Sequence, residues 1–229
     1  MRTQLTSLTL VVAMFGFGAA AAGAATLNVD RPCYADASQR QDMVSYSGTG
    51  FVANKPYTVT LDGKPLAGGI GTVDGAGDLA GSFIAPALST VGKHTREHTF
   101  VLGVSDGINA PQIGFTVSKL FADFLPAQGN PKTLNVAFRL FGFALQGTPN
   151  PTIYVHYVAP GGKVKKTYSL GHGRGACGSR PHTAKRRLFA FKPAHGSWTL
   201  QFDTSKAYER GTKAGKFLFY TVPVTVKSG

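Results

Sequence analysis

From Leu27 onward, apolar and polar residues alternate in short runs separated by glycine, proline, asparagine and aspartate. Alternation with period two puts successive side chains on opposite faces, so each run reads as a strand with one buried face. In the first half these runs are Leu27–Arg31, Asp42–Phe51, Pro56–Asp62, Gly69–Val73, Leu79–Ile84, His98–Val104 and Gln112–Val117. Asp62-Gly63 supplies one hairpin turn and Asp74-Gly75-Ala76-Gly77 another, because these residues accept the positive φ of tight turns. The plan restarts after Ser118 with Thr133–Leu145, Thr152–Val158, Lys163–Leu170, Lys185–Phe191, Ser197–Asp203 and Phe217–Val226, interrupted by a glycine-rich loop at Gly171–Pro181. Such a cadence of short strands is that of immunoglobulin-like sandwiches. The expected class is all-β, two tandem immunoglobulin-like β-sandwich domains at 26–118 and 119–229, joined near Ser118–Asp123.

Composition supports this reading. The 29 glycines and 13 prolines cut helices short, and 43% hydrophobic residues suffice for two cores. Residues 1–25 have the layout of a signal peptide: Arg2 is the positive start, Leu8–Gly18 the apolar stretch, and Ala19–Ala25 the small residues of a cleavage site. An uncleaved anchor is the alternative, since Leu5–Ala25 approaches the roughly 20 residues that span a bilayer. No transmembrane segment is expected in the mature chain, because Phe217–Val226 is short and holds Pro223. The expected location is secreted or at the cell surface.

Ser47-Gly48-Thr49-Gly50-Phe51, then Tyr57-Thr58-Val59-Thr60-Leu61-Asp62-Gly63, and a closing Phe115-Thr116-Val117 carry a resemblance. Over about 26–118 the chain resembles the Ig-like repeats of secreted bacterial surface proteins. That resemblance implies a spacing, adhesion or display role and brings no catalytic residues. The second half shares only the sandwich cadence, although Gly142-Phe143 repeats the Gly50-Phe51 pair after an early strand and hints at a shared ancestral module.

Charge separates the halves. Residues 26–118 hold 6 Lys and Arg against 8 acids, and residues 119–229 hold 17 against 3. A local excess of this size predicts an anionic partner: a wall polymer, a polysaccharide or extracellular nucleic acid. The candidate polyanion-binding residues are Lys163, Lys165, Lys166, Arg174, Arg180, Lys185, Arg186 and Arg187. If Lys163–Leu170 and Lys185–Phe191 were adjacent strands, Lys163 with Lys165 and Lys185 with Arg187 would form a ladder of positive charge. A merely solubilising basic surface is the alternative.

Motifs for chemistry are weaker. His94-Thr95-Arg96-Glu97-His98 matches a zinc-peptidase pattern, which needs a helix to stack both histidines on one face. Gly92 before it and Thr99-Phe100-Val101-Leu102 after it instead predict a turn entering a strand. Gly173-Arg174-Gly175-Ala176-Cys177-Gly178 satisfies a dinucleotide fingerprint without the helix that follows in such sites, leaving a flexible surface loop or an anion-binding nest. His172, Cys177 and His182 lack a fourth metal ligand and an orienting carboxylate, and Asp203 with Glu209 lacks a glycosidase pattern. No metal, cofactor or catalytic residue is assigned. Cys33 and Cys177 pair in one disulfide or remain two free thiols; their placement in different expected domains argues against the bridge and export argues for it. The expected function is a secreted, non-enzymatic interaction, adhesion or surface-display protein whose basic half binds anionic polymer. The alternatives are a secreted hydrolase with its site in the second half, or a structural spacer.

Overall fold

The computed structural model describes residues 24–211 and 218–228, so nearly all of the signal-peptide expectation lies outside the described residues. The described chain is all-β apart from a single 3-10 turn at Leu88–Thr90. In the first half β1 (Thr26–Val29), β3 (Met43–Thr49) and β6 (Leu79–Ile84) form a sheet in the order β1-β3-β6. Facing it, β2 (Cys33–Ala35), β4 (Pro56–Leu61), β5 (Lys64–Thr72), β7 (Glu97–Ser105) and β8 (Gln112–Ser118) form a second in the order β2-β8-β7-β4-β5. All pairs are antiparallel except β2 with β8.

The second half repeats the plan. There β9 (Phe121–Leu125), β10 (Asn135–Phe141) and β13 (Arg186–Arg187) make a three-stranded sheet in the order β13-β10-β9. Opposite lie β11 (Thr152–Val158), β12 (Val164–His172), β14 (Gly196–Asp203) and β15 (Tyr220–Val226) in the order β12-β11-β14-β15. Strands β10 to β15 therefore occupy the sheet positions that β3 to β8 hold in the first half. The paired Gly-Phe steps coincide in this scheme. Gly50 and Gly142 follow β3 and β10 at φ 77° and 75°, and each turns a buried phenylalanine, Phe51 or Phe143, into the core beneath.

Alternation works as physical chemistry predicts. In β3 every second residue is buried, and Val44 and Tyr46 join Tyr34, Val59, Leu102, Phe115 and Val117 in one cluster. A separate cluster gathers Val136, Phe138, Leu140, Val155, Tyr157, Trp198, Leu200 and Phe202. Each such side chain stabilises by about 1.5–3 kcal/mol relative to exposure, so the inward faces fix the register of every strand.

Two strands were not expected, and both lie at the joint. Cys33-Tyr34-Ala35 is buried at every position, so β2 carries no alternation to read. The segment expected as a linker, Ser118–Asp123, is instead strand for most of its length: β8 ends at Ser118 and β9 begins at Phe121. Only Lys119 and Leu120 connect them, and both are held. Lys119 Nζ lies 3.1 Å from the buried Asp36 carboxylate, and Gln39 exchanges two hydrogen bonds with the Leu120 backbone. The Arg96 guanidinium lies over the Phe121 ring, 4.2 Å from its centroid, and the Ser179 hydroxyl donates to Glu97. Cys33 and Cys177 are joined in a disulfide with Cα atoms 5.2 Å apart, which resolves the open alternative in favour of the bridge. Its sulfurs sit in a small apolar seam with Ala35, Leu120, Leu145 and Leu218. The tight connection between the halves brings the two cysteines within bridging range.

Candidate functional site

The basic residues converge, but not as a ladder on adjacent strands. Strand β12 is the outer strand of one sheet of the second half, and β13 is the outer strand of the other. The expected strand Lys185–Phe191 shrinks to Arg186–Arg187 because Leu188 and Phe189 are both buried, which breaks the alternation and draws the chain out of the sheet. The two clusters meet across the open side of the sandwich, and register explains which residues do so. Lys166 and Tyr168 lie opposite Tyr157 and Val155, whose side chains point inward, and Arg186 lies opposite the inward-pointing Val136. Opposed residues in an antiparallel pair share a face. Lys166, Tyr168 and Arg186 thus lean into one gap, with the Arg186 guanidinium 4.6 Å and the Lys166 ammonium 5.8 Å from the Tyr168 ring centroid. Cation–π attraction offsets part of the like-charge repulsion at this point. Lys163, Lys165, Lys185 and Arg187 are exposed around it.

Arg174 and Arg180 do not belong to this edge. They lie beyond the far end of β12, beside the joint, roughly 25 Å of strand away from Lys165. The loop that carries them is a built structure, not the flexible loop expected. Arg174 and Ser179 exchange backbone hydrogen bonds, Gly178 N–H donates to Gly175, and Gly173 N–H donates to Pro151. These N–H groups hold the loop's own shape, which removes them from any anion nest. A Cβ on Gly173 would stand 2.2 Å from the Gly178 carbonyl oxygen, so glycine is required there.

A cavity of about 670 Å³ adjoins the basic edge, lined by Lys132, Arg187, Phe191, Lys192, Pro193 and His195 among others. Lys132, Lys192 and His195 were not singled out from sequence, where no pattern links them to Arg187. The fold assembles them because the chain turns back directly after β13. Trp198 Nε1 donates to the Ala194 carbonyl at 2.9 Å and fixes this return, with Trp198 itself buried as expected. Carboxylates are scarce throughout the half. Among the described residues, Lys119 and Arg139 are the lysine and arginine of 119–228 that have a carboxylate within 4.0 Å.

The remaining candidates are placed as follows. The His94–His98 segment is a turn entering β7, with His98 packed on Phe100 and 3.7 Å from Asp62. Among the described residues, no group of three or more His, Cys, Asp or Glu is arranged to hold a metal ion. Cys177 is in the disulfide, so its sulfur is neither a thiolate nucleophile nor a ligand. Asp203 is fully buried against His156, with Nε2 to Oδ1 at 3.1 Å, while Glu209 is exposed. The His156 Nε2–H also reaches the Ser205 carbonyl, and its Nδ1 lies 2.8 Å from the Thr167 hydroxyl. Gln201 bonds Asp203 and the Glu209 carbonyl. This network fastens residues 204–211 over the outer face of β11 and β14, and neither His156 nor Asp203 has surface for a substrate to reach.

Among the described residues no helix is long and apolar enough to cross a membrane. No family model and no characterised protein matches the chain. Solved structures with similar arrangements include the dimeric latent PorU of Porphyromonas gingivalis, at 16% identity and a TM-score of 0.30, where the match covers 89% of this chain and 20% of that one. Another is the tetra-tandem repeat in the extending region of a large adhesion protein, at 16% identity and a TM-score of 0.27, covering 89% of this chain and 49% of that one. The chain thus spans less than half the length of either protein.

Proposed function

We propose that this is an exported, non-enzymatic interaction protein whose second half holds it to an anionic polymer while the first serves as spacer or partner site. The leader-like pattern of residues 1–25 and the disulfide support export. The observation that carries the binding role is the meeting of Lys166 and Arg186 over Tyr168, with Lys163, Lys165, Lys185 and Arg187 exposed beside them. Like charges gathered without carboxylates raise the local potential, and a flexible polyanion gains by releasing its counterions to such a surface.

The test is a salt titration of heparin, a phosphate-rich wall polymer and DNA. Neutralising six charges on a DNA-like polymer makes affinity fall on the order of a thousandfold from 50 to 200 mM salt. Replacing Lys163, Lys165 and Lys185 by Ala together removes three exposed cations whose side chains have no hydrogen bond or ion pair among the described residues, and the slope of log affinity against log salt is expected to fall by about 3. Salt-insensitive binding, or an unchanged slope in that variant, would refute the reading.

A further inference from the structure

We propose that the cavity beside β13 is a subsite for an acidic sugar, a glycan unit bearing a carboxylate or sulfate. The proposal rests on the polymer-binding reading and gives it a specific seat. Four groups that carry or can accept positive charge, Lys132, Arg187, Lys192 and His195, line the cavity, and no carboxylate does. The acids of this half are engaged or distant: Asp123 pairs with Arg139, Asp203 is enclosed with His156, and Glu209 lies in the segment that crosses the outer face of the other sheet. An anion entering the cavity therefore meets donors and no repulsion. Arg187 brings a planar fork that matches a carboxylate or sulfate through paired hydrogen bonds.

The apolar part of the wall suits a sugar. Phe191 is half-buried, so its exposed part offers a modest hydrophobic surface against which the C–H face of a pyranose can pack. The volume of about 670 Å³ falls within the roughly 300–1,000 Å³ of small-ligand sites. The site is also pre-formed. Phe191 packs on Tyr157, Phe189 and Trp198 at 5.5 to 5.6 Å between centroids, and the Trp198 bond to Ala194 fixes the turn that presents Lys192 and His195. Groups already held in place lose little entropy when a ligand arrives.

A nucleic-acid base fits less well. Single-stranded binding relies on open aromatic faces for stacking. Here Phe189 is buried and the Tyr168 ring is already contacted by Arg186 and Lys166, so the partly exposed Phe191 stands alone and gives no run of rings for successive bases. Arg186 and Arg187 alternate along β13, one at Tyr168 and the other in the cavity, so a single glycan can occupy the subsite and run on along the basic edge.

The test uses the full chain with four short probes: a heparin tetrasaccharide, an oligogalacturonate tetramer, a neutral chitotetraose and a ten-residue oligothymidylate. Trp198, the single tryptophan, packs on Phe191 and reports binding by fluorescence. The acidic tetrasaccharides are expected to bind and the neutral one not. Preference for heparin assigns sulfate as the recognised group, and preference for oligogalacturonate assigns carboxylate. Lys192→Ala with His195→Ala, both exposed and outside the edge clusters, is expected to weaken tetrasaccharide binding at least about tenfold while the thermal melt stays unchanged and long heparin still binds. Unchanged tetrasaccharide affinity in that variant, alongside intact binding of long heparin, overturns the subsite and leaves the polymer reading standing. Equal or tighter binding of oligothymidylate overturns the choice of a glycan. No binding of long heparin, wall polymer or DNA by the wild type overturns the polymer reading itself.

Discussion

Gly142 shows how much one residue can determine. It sits at φ 75°, and a Cβ there would stand 2.5 Å from the Lys119 carbonyl oxygen in the connection between the halves. Gly147 has a similar φ of 88° and open space around it. Gly147→Ala should therefore cost only the left-handed strain of about 1–2 kcal/mol, and Gly142→Ala should cost about 1–3 kcal/mol more, read as the difference between two denaturant melts. Asp106 is the second such residue. Burial pushes its carboxyl up, but the N–H groups of Val52, Asn109 and Ile108 and the side-chain amide of Asn109 all donate to it and hold it well below the usual carboxylate range. A depressed folded-state value stabilises above the unfolded one, about 3.8, and that contribution disappears as pH falls below it. Thermal melts from pH 7 to pH 2 should show stability falling below about pH 4. Asp106→Asn should be about 1–3 kcal/mol less stable at pH 7, because its amide offers one accepting oxygen where the carboxylate offers two, and should lose less on acidification, because it has no charge to lose.

Elements were legible wherever one face is buried and the other wet. Pro56–Leu61 and Gln112–Ser118 appear where their alternation places them. Strand β2 was hidden because Cys33, Tyr34 and Ala35 are all buried, one against the core and two against the other half, so no polar face remained to mark the period. Strand β13 was overdrawn for the related reason that Leu188 and Phe189 both turn inward. The candidate site was half legible. Lys166 and Arg186 could be named as cations, but their meeting over Tyr168 depends on pairing register, and Lys132 and His195 reach the cavity through loops whose course no local pattern encodes. The disulfide depends on the same hidden strand. In the chain-entropy model a crosslink spanning 144 positions stabilises by about 5 kcal/mol. Cys33→Ser with Cys177→Ser should lower the unfolding free energy read from denaturant melts by an amount of that order or less, and unreduced wild type should take up no alkylating label. Label on both cysteines would remove the bridge.

At the scale of the whole molecule, the halves differ in charge and are fastened where they meet. The acidic side of that fastening lies in the first half, at Asp36 and Glu97, and its partners Lys119 and Ser179 lie in the second. The basic edge of β12 and β13 lies away from it, so a polymer can be held there without disturbing the contact between halves. The crosslink also alters how the chain would bear tension. Force applied at the two ends would enter at Cys33 and leave at Cys177 through the sulfurs, so the ring of chain between them, roughly 500 Å if drawn out straight, stays slack. Only the arms outside the ring can lengthen, the longer of them, residues 178–229, by about 180 Å. Single-molecule pulling should therefore give the arms' extension alone for the oxidised protein and release the ring's length only when reductant is present. A chain wired in this way lengthens under load from its arms alone, and the redox state of its surroundings sets whether the ring can follow.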